Sequence, residues 1–287
     1  MSGYERVAAS MKRAAILVLG ACSLSGVSVA MTINTPPDGN GHPAVVALLS
    51  SDGYWAYPFC SGTLLSSKVV LTASHCMAAA QQMQQNGWQL SATNDPTLVR
   101  DANGWLAINS LATNSEFDQI VLNPAYDPKV RGGYDHDVSA VVLADPISVD
   151  PAALPTVPPR GLLSQLKANR SLRAATFTVI GYGSEQKTLP ASTGPWFPFT
   201  TERRAGILGF DALDPRFIHE SQRVSQNSNG ACYGDSGGPS LLQVGTITYV
   251  VGVTSSGDVP CFATNTAYRT DTDEALDLLN EVLDENP

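Results

Sequence analysis

Short apolar runs rich in β-branched residues recur along the chain between clusters of Gly, Pro, Asn, Asp and Ser. Ala44–Leu49, Val69–Thr72, Val138–Leu143, Phe177–Ile180 and Ile247–Thr254 are the clearest. Such runs between turn signals predict strands, and this many of them predict a mostly antiparallel sandwich or barrel. Helical periodicity is scarce. The one clear amphipathic stretch is Asp273–Leu283, where Leu276, Leu279 and Leu283 share a face and Asp271 or Thr272 can act as N-cap. Pro146, Pro151, Pro155, Pro158 and Pro159 crowd one segment and predict a link between two halves. There is no internal repeat and no low-complexity tract.

The first 30 residues follow a different pattern. Lys12 and Arg13 precede an apolar run, Ala14 to Ala21, and small residues end at Ser28-Val29-Ala30. This predicts a secretory signal peptide cut after Ala30, with Met11 a possible true start. A rival reading takes Leu19-Gly20-Ala21-Cys22 as a lipoprotein box with Cys22 acylated; a third is a buried N-terminal helix. No later stretch is long and apolar enough to span a bilayer, so the mature chain is expected to be soluble.

Composition narrows the class. Of 287 residues, 43% are hydrophobic and 15% charged, which excludes a disordered chain, and no Gly-x-y period exists. The formal charge is −9. Loss of a leader that carries net +2 takes it to about −11, and no basic cluster follows residue 13. Nucleic acid and anionic membrane are therefore not expected as partners. Loss of Cys22 turns five cysteines into four, Cys60, Cys76, Cys232 and Cys261. In an exported chain these imply two disulfides with three possible connectivities.

Three segments carry candidate chemistry: Leu71-Thr72-Ala73-Ser74-His75-Cys76, Asp135-His136-Asp137 ahead of the strand Val138–Leu143, and Cys232-Tyr233-Gly234-Asp235-Ser236-Gly237-Gly238-Pro239. A serine hydroxyl becomes a competent nucleophile when an imidazole takes its proton, and a buried carboxylate fixes the imidazole tautomer. Glycines around the serine let backbone N–H groups face a developing oxyanion. Gly234–Gly238 also satisfies Gly-x-Ser-x-Gly, the nucleophile elbow of α/β-hydrolases. That fold needs a histidine after the serine, and His42, His75, His136 and His219 all precede Ser236. The elbow reading fails. Each segment alone also has a structural explanation: a core histidine, a strand cap, a glycine turn. His136 is a rival base but lacks the Thr-Ala-x-His-Cys context. His42 and His219 read as surface or structural residues.

In that order the three motifs resemble the trypsin/chymotrypsin-like serine proteases, over nearly all of residues 31–287. The resemblance implies two antiparallel six-stranded β-barrels with a C-terminal helix: 31–150 and 173–287, joined by a Pro-rich link at 151–172. It implies His75 as general base, Asp137 as its orienting acid, Ser236 as nucleophile, and the N–H groups of Gly234 and Ser236 as oxyanion hole. It also implies disulfides Cys60–Cys76 and Cys232–Cys261, and it matches Gly181-Tyr182-Gly183 to the family's Gly-Trp-Gly. A secreted, monomeric endopeptidase acting on protein or peptide substrates, with no cofactor and no metal, is the expectation. A catalytically silent homologue used for binding is the alternative.

The same resemblance places the floor of the specificity pocket at Gly230, where relatives that cleave after Lys or Arg carry Asp. Ser255, Ser256 and Gly257 form the opposite wall, Ser256 standing where Trp is usual, and Thr266 takes the place of a small pocket-lining Gly. Cleavage after small or medium uncharged residues is expected, with Asp258 a weak rim charge. No Ile-Val-Gly-Gly activation sequence is present; Met31, freed by leader removal, is expected to supply the ammonium that pairs with Asp235. An insertion on the cleft side is expected within Asn86–Phe117. No Cys between 76 and 232 supplies a third disulfide, and no Cys/His spacing suits zinc. The sequon at Asn169 matters only in a glycosylating host.

Overall fold

The computed structural model describes residues 35–100, 106–130, 134–184 and 201–286. The expected leader, Cys22 and Met31 lie outside them.

The first half contributes β1 (Val45–Ser51), β2 (Trp55–Leu64), β3 (Val69–Thr72), α1 (Ser74–Gln85), β4 (Gln89–Thr93), β5 (Leu106–Ala107), β6 (Ser115–Val121) and β7 (Ser139–Leu143). Strands run in the order β1-β4-β6-β7-β3-β2, and β2 pairs back onto β1. That closes six antiparallel strands; β5 adds only to the outer part of β2, at Trp55 and Ala56. Closure leaves no long unpaired edge.

The second half contributes α2 (Leu162–Ala168), β8 (Thr176–Gly181), β9 (Arg204–Leu213), β10 (Phe217–Ser221), β11 (Pro239–Val244), β12 (Ile247–Gly257), β13 (Thr264–Arg269) and α3 (Asp273–Glu285). Its six strands close as β10-β13-β12-β11-β8-β9. The segment after Pro151 is more structured than its prolines suggest. Thr156 bridges Tyr249 of β12, and Leu162, Leu163 and Leu172 enter the second barrel's core.

The continuous apolar runs of β3 and β7 have a physical reason. Val70, Leu71, Val141 and Leu143 face the first core, while Val69, Ala140 and Val142 face outward against Val282 of α3. A helix from the end of the chain thus covers the first barrel. Its N-cap is Thr272, whose Oγ1 accepts from the Ala275 N–H at 3.3 Å. The buried face is Ala275, Leu276, Leu279 and Val282, with Leu283 only partly buried.

Helix α1 was not evident from periodicity. Its buried face is Cys76, Met77 and Ala80, too slight to give an apolar stripe. The Ala and Gln run from Ala78 to Gln85 was the available signal, because both types have high helix propensity. The described residues of Asn86–Phe117 are not among those lining the cavity that holds His75 and Ser236. They supply β4 and β5, and Pro96 and Leu98 exchange backbone hydrogen bonds with Arg203 and Thr201. Arg203 itself is fully buried and joins the halves, donating to Asp38 Oδ2 and to the carbonyls of Gly39, Val45 and Asn94.

Candidate active site

Pairing of β3 with β7 sets Thr72 opposite Ser139. His75, at the start of α1, and Asp137, just before β7, therefore emerge side by side. The His75 ring Nδ1 lies 2.8 Å from Asp137 Oδ2, and the His75 backbone N–H donates to Oδ1 at 2.8 Å. Asp137 is fully buried, and Ser255 Oγ donates to the same Oδ2. Three donors thus hold one carboxylate. A bulge between Thr254 and Ser256 frees Ser255 from the β12–β13 ladder and aims its hydroxyl there.

The turn that carries Asp137 is clamped from two sides. Ser74 Oγ donates towards the carbonyls of His136 and Val138. His136 has φ 60°, and its Nδ1 is 2.8 Å from both oxygens of Glu274 on α3. Its ring is therefore committed to α3 rather than to the cleft.

Ser236 sits in a loop held by Ser61 of β2, whose N–H donates to Ser236 O and whose Oγ donates to Gly234 O. Gly234 and Gly237 have φ 93° and 81°, conformations L side chains rarely adopt. The Asp235 side chain is buried and accepts from the N–H groups of Gly183 and Cys232 at 2.8 and 2.9 Å. Burial pushes its carboxyl up to about 7, against the pull of those two backbone donors. The two glycines of Gly181-Tyr182-Gly183 are explained by this group. A Cβ on Gly181 would fall 2.2 Å from Asp235 Oδ1, and one on Gly183 2.5 Å from Cγ.

His75 and Ser236 share a cavity of about 380 Å³ with Tyr134, Gln222, Ala231, Cys232, Tyr233, Thr254, Ser255, Ser256, Gly257, Asp258, Val259, Cys261 and Asn265. Disulfides Cys60–Cys76 and Cys232–Cys261 flank it. Cys60, Cys76 and His75 are grouped closely enough for a metal, but both sulfurs are in the disulfide and offer no thiolate. Thr266 is not among the residues lining this cavity. Its hydroxyl turns towards His219 Nδ1, 3.4 Å away, and Asn265, opposite Gly257 in the ladder, faces the pocket instead. Gly230 is not among the residues lining this cavity; a Cβ there would meet Leu208 Cδ2 at 2.2 Å and Gln222 Oε1 at 3.0 Å.

Sequence reasoning missed Ser61, Tyr134, Gln222 and Asn265. Tyr134 stands three residues before Asp137 and packs edge-on to the His75 ring with centroids 5.9 Å apart. Asn265 is the neighbour of the expected Thr266 and pairs with Gly257 in the β12–β13 ladder. His42 is structural. It contacts Asp38 Oδ1 at 2.6 Å, and with Arg203 it holds that carboxyl below its usual range against the opposing effect of burial. His219 pairs with Asp214 at 2.9 Å.

Two closed barrels, with an imidazole–carboxylate pair on one and a glycine-framed serine on the other, define the class of two-barrel serine proteases. The family model described as Trypsin matches residues 33–279, and the chain belongs to that family. Curated relatives include a trypsin from Saccharopolyspora erythraea, 26% identical over 76% of this chain and 82% of its own length. Alpha-fibrinogenase albofibrase from Trimeresurus albolabris is 24% identical over 77% of this chain and 74% of its own. Melanization protease 1 from Drosophila melanogaster is 25% identical over 70% of this chain and 52% of its own.

Proposed function

We propose that the chain is a secreted serine endopeptidase that cleaves after small or medium uncharged residues through an acyl-enzyme. The observation that carries this is the buried Asp137 carboxylate, engaging both the ring and the backbone of His75 in a cavity shared with Ser236. Ser236 Oγ attacks the scissile carbonyl while His75 Nε2 takes its proton, and the same proton passes to the leaving amine. Asp137 holds Nδ1–H and stabilises the imidazolium. The N–H groups of Gly234 and Ser236 receive the oxyanion, each such donor being worth about 2.7–4 kcal/mol. Water then repeats the sequence on the ester. Gly230, in place of a floor acid, supports the uncharged preference.

Activation would follow from leader removal. The ammonium of Met31, or of a residue close to it, pairs with Asp235 and compensates the buried charge of its carboxylate. Export is supported by the disulfides and by a relative named snake venom serine protease 3. The chain is taken to act as a monomer, with residues 31–150 and 173–287 as its two units.

The test is a fluorophosphonate probe on the secreted form. Ser236 becomes labelled and peptide hydrolysis stops with it, whereas Ser236→Ala takes up no probe. Absence of labelling on the intact, folded chain would leave a silent binding homologue.

A further inference from the structure

We infer that the pocket beside Ser236 selects a substrate side chain that carries an amide hydrogen-bond donor, and that Gln222 and Asn265 read it. This rests on the endopeptidase reading above and deepens it, by naming what kind of uncharged residue precedes the cleaved bond.

Gln222 and Asn265 line the pocket and are 1% and 2% exposed. Neither was evident in the sequence. Both amides have their nitrogen facing an acid. Asn265 Nδ2 donates to Glu220 Oε2 at 2.7 Å. Gln222 Nε2 makes longer contacts, to Asp258 Oδ1 at 3.5 Å and to the Thr264 carbonyl at 3.4 Å. Every neighbour at those ends is an acceptor. Turning the Gln222 amide over would set its oxygen against the Asp258 carboxylate and the Thr264 carbonyl, so electrostatics fixes its orientation. What each amide has left to offer a ligand is its carbonyl oxygen.

Gln222 Oε1 is buried and has no hydrogen-bond partner among the described residues. Buried acceptors are rarely left so. The atom lies 3.0 Å from an ideal Cβ on Gly230, beside Leu208 Cδ2 at 2.2 Å. A glycine at 230 thus leaves room for Leu208 and for this acceptor beside the position where an acid would have stood.

The acids behind the amides do not make this a site for cations. Asp258 Oδ1 and Oδ2 accept the N–H groups of Phe262, Ala263 and Thr264 at 2.7 to 2.9 Å, so its charge is spent on its own loop. Glu220 is fully buried beneath Asn265, and burial pushes its carboxyl up to about 7 despite hydrogen bonds from Asn265 and Ser240. An ammonium or guanidinium would be stripped of water in a cavity that Glu220 does not line. A carboxylate would meet two carbonyl oxygens. A primary amide satisfies both requirements, because it is neutral and carries two donors.

The experiment uses the secreted enzyme and peptides that differ only in the residue before the scissile bond: Gln, Met, Leu, Glu, Lys. Gln and Met, and Gln and Glu, are close in size. kcat/KM for Gln is expected to exceed that for Met and for Glu by about tenfold or more, as in sites that hydrogen-bond their substrate. In Gln222→Met the Gln-to-Met ratio falls towards unity. That ratio compares two substrates on one protein, so partial misfolding lowers both terms and leaves it unchanged. Met or Leu equal to or better than Gln on the unaltered enzyme overturns the inference and leaves the uncharged preference standing. Lys preferred over all others overturns the uncharged preference itself. No hydrolysis of any peptide, together with no labelling of Ser236, overturns the endopeptidase reading.

Discussion

Gly230 shows how much a single missing side chain leaves to its neighbours. Its position reads from the sequence as a pocket floor without charge, but the space is taken by Leu208 Cδ2 and Gln222 Oε1. Restoring the acid therefore does not restore basic specificity. Gly230→Asp is expected to gain no useful hydrolysis after Arg or Lys, because its Cβ would begin 2.2 Å from Leu208 and both Leu208 and the carboxylate would be displaced. Gly230→Asp combined with Leu208→Ala relieves the contact and should show the first measurable Arg cleavage. A single Gly230→Asp variant with trypsin-like kinetics would show that the floor is open. Asp137 was legible for the opposite reason: its chemistry needs no neighbour to be recognised beside His75 and Ser236 in chain order. The donor that completes its environment, Ser255, was legible only as a wall residue, since the bulge that turns its hydroxyl is invisible in one sequence.

At the scale of elements, α3 does more than cover an apolar face. Glu274, in its first turn, receives Asn123 Nδ2 at 2.6 Å, Tyr268 OH at 3.1 Å and the His136 ring. Asn123 follows β6, Tyr268 belongs to β13 and His136 adjoins Asp137, so one carboxylate ties both barrels to the turn that carries Asp137. Glu274→Gln keeps the size but weakens the acceptor. It is expected to lower kcat by up to about tenfold with KM little changed, since small misplacement of a catalytic group affects turnover more than binding. Steady-state kinetics of the variant check this, and an unchanged kcat would detach the clamp from the geometry of Asp137. The apolar face of α3 was readable from Leu276 and Leu279. Its target on β3 and β7 was not, because continuous apolar strands do not say which face belongs to which partner.

For the whole molecule, a buried acid sets part of the pH response. Glu220 keeps its proton in the folded chain up to about 7, against 4.5 for an ordinary glutamate. Between those values the folded state holds a proton that the unfolded state has released. Its contribution therefore favours folding most below 4.5 and is lost as pH rises to about 7, by on the order of 3 kcal/mol. Urea unfolding of Glu220→Gln beside the unaltered protein, from pH 4.5 to 7.5, should show the parent losing stability relative to the variant across that window. Parallel curves would place Glu220 in the ionised state throughout. Reading the sequence exposed none of this, since Glu220 sits in a strand and only closure of the second barrel removes it from water.

The order His75, Asp137, Ser236, the four paired cysteines and the alternation of short apolar runs with turns sufficed to determine the family, both barrels and the terminal helix. These are properties of residue type and spacing, carried locally by the chain. The tertiary structure alone decided that Asn265 rather than Thr266 faces the pocket, that Gln222 fills the floor, and that α3 clamps the catalytic turn. Each depends on a register shift, a buried contact or a helix docking on a distant strand. The Asn265–Glu220 contact spans 45 residues and the docking of α3 on His136 spans 138, where no local pattern in the sequence reaches.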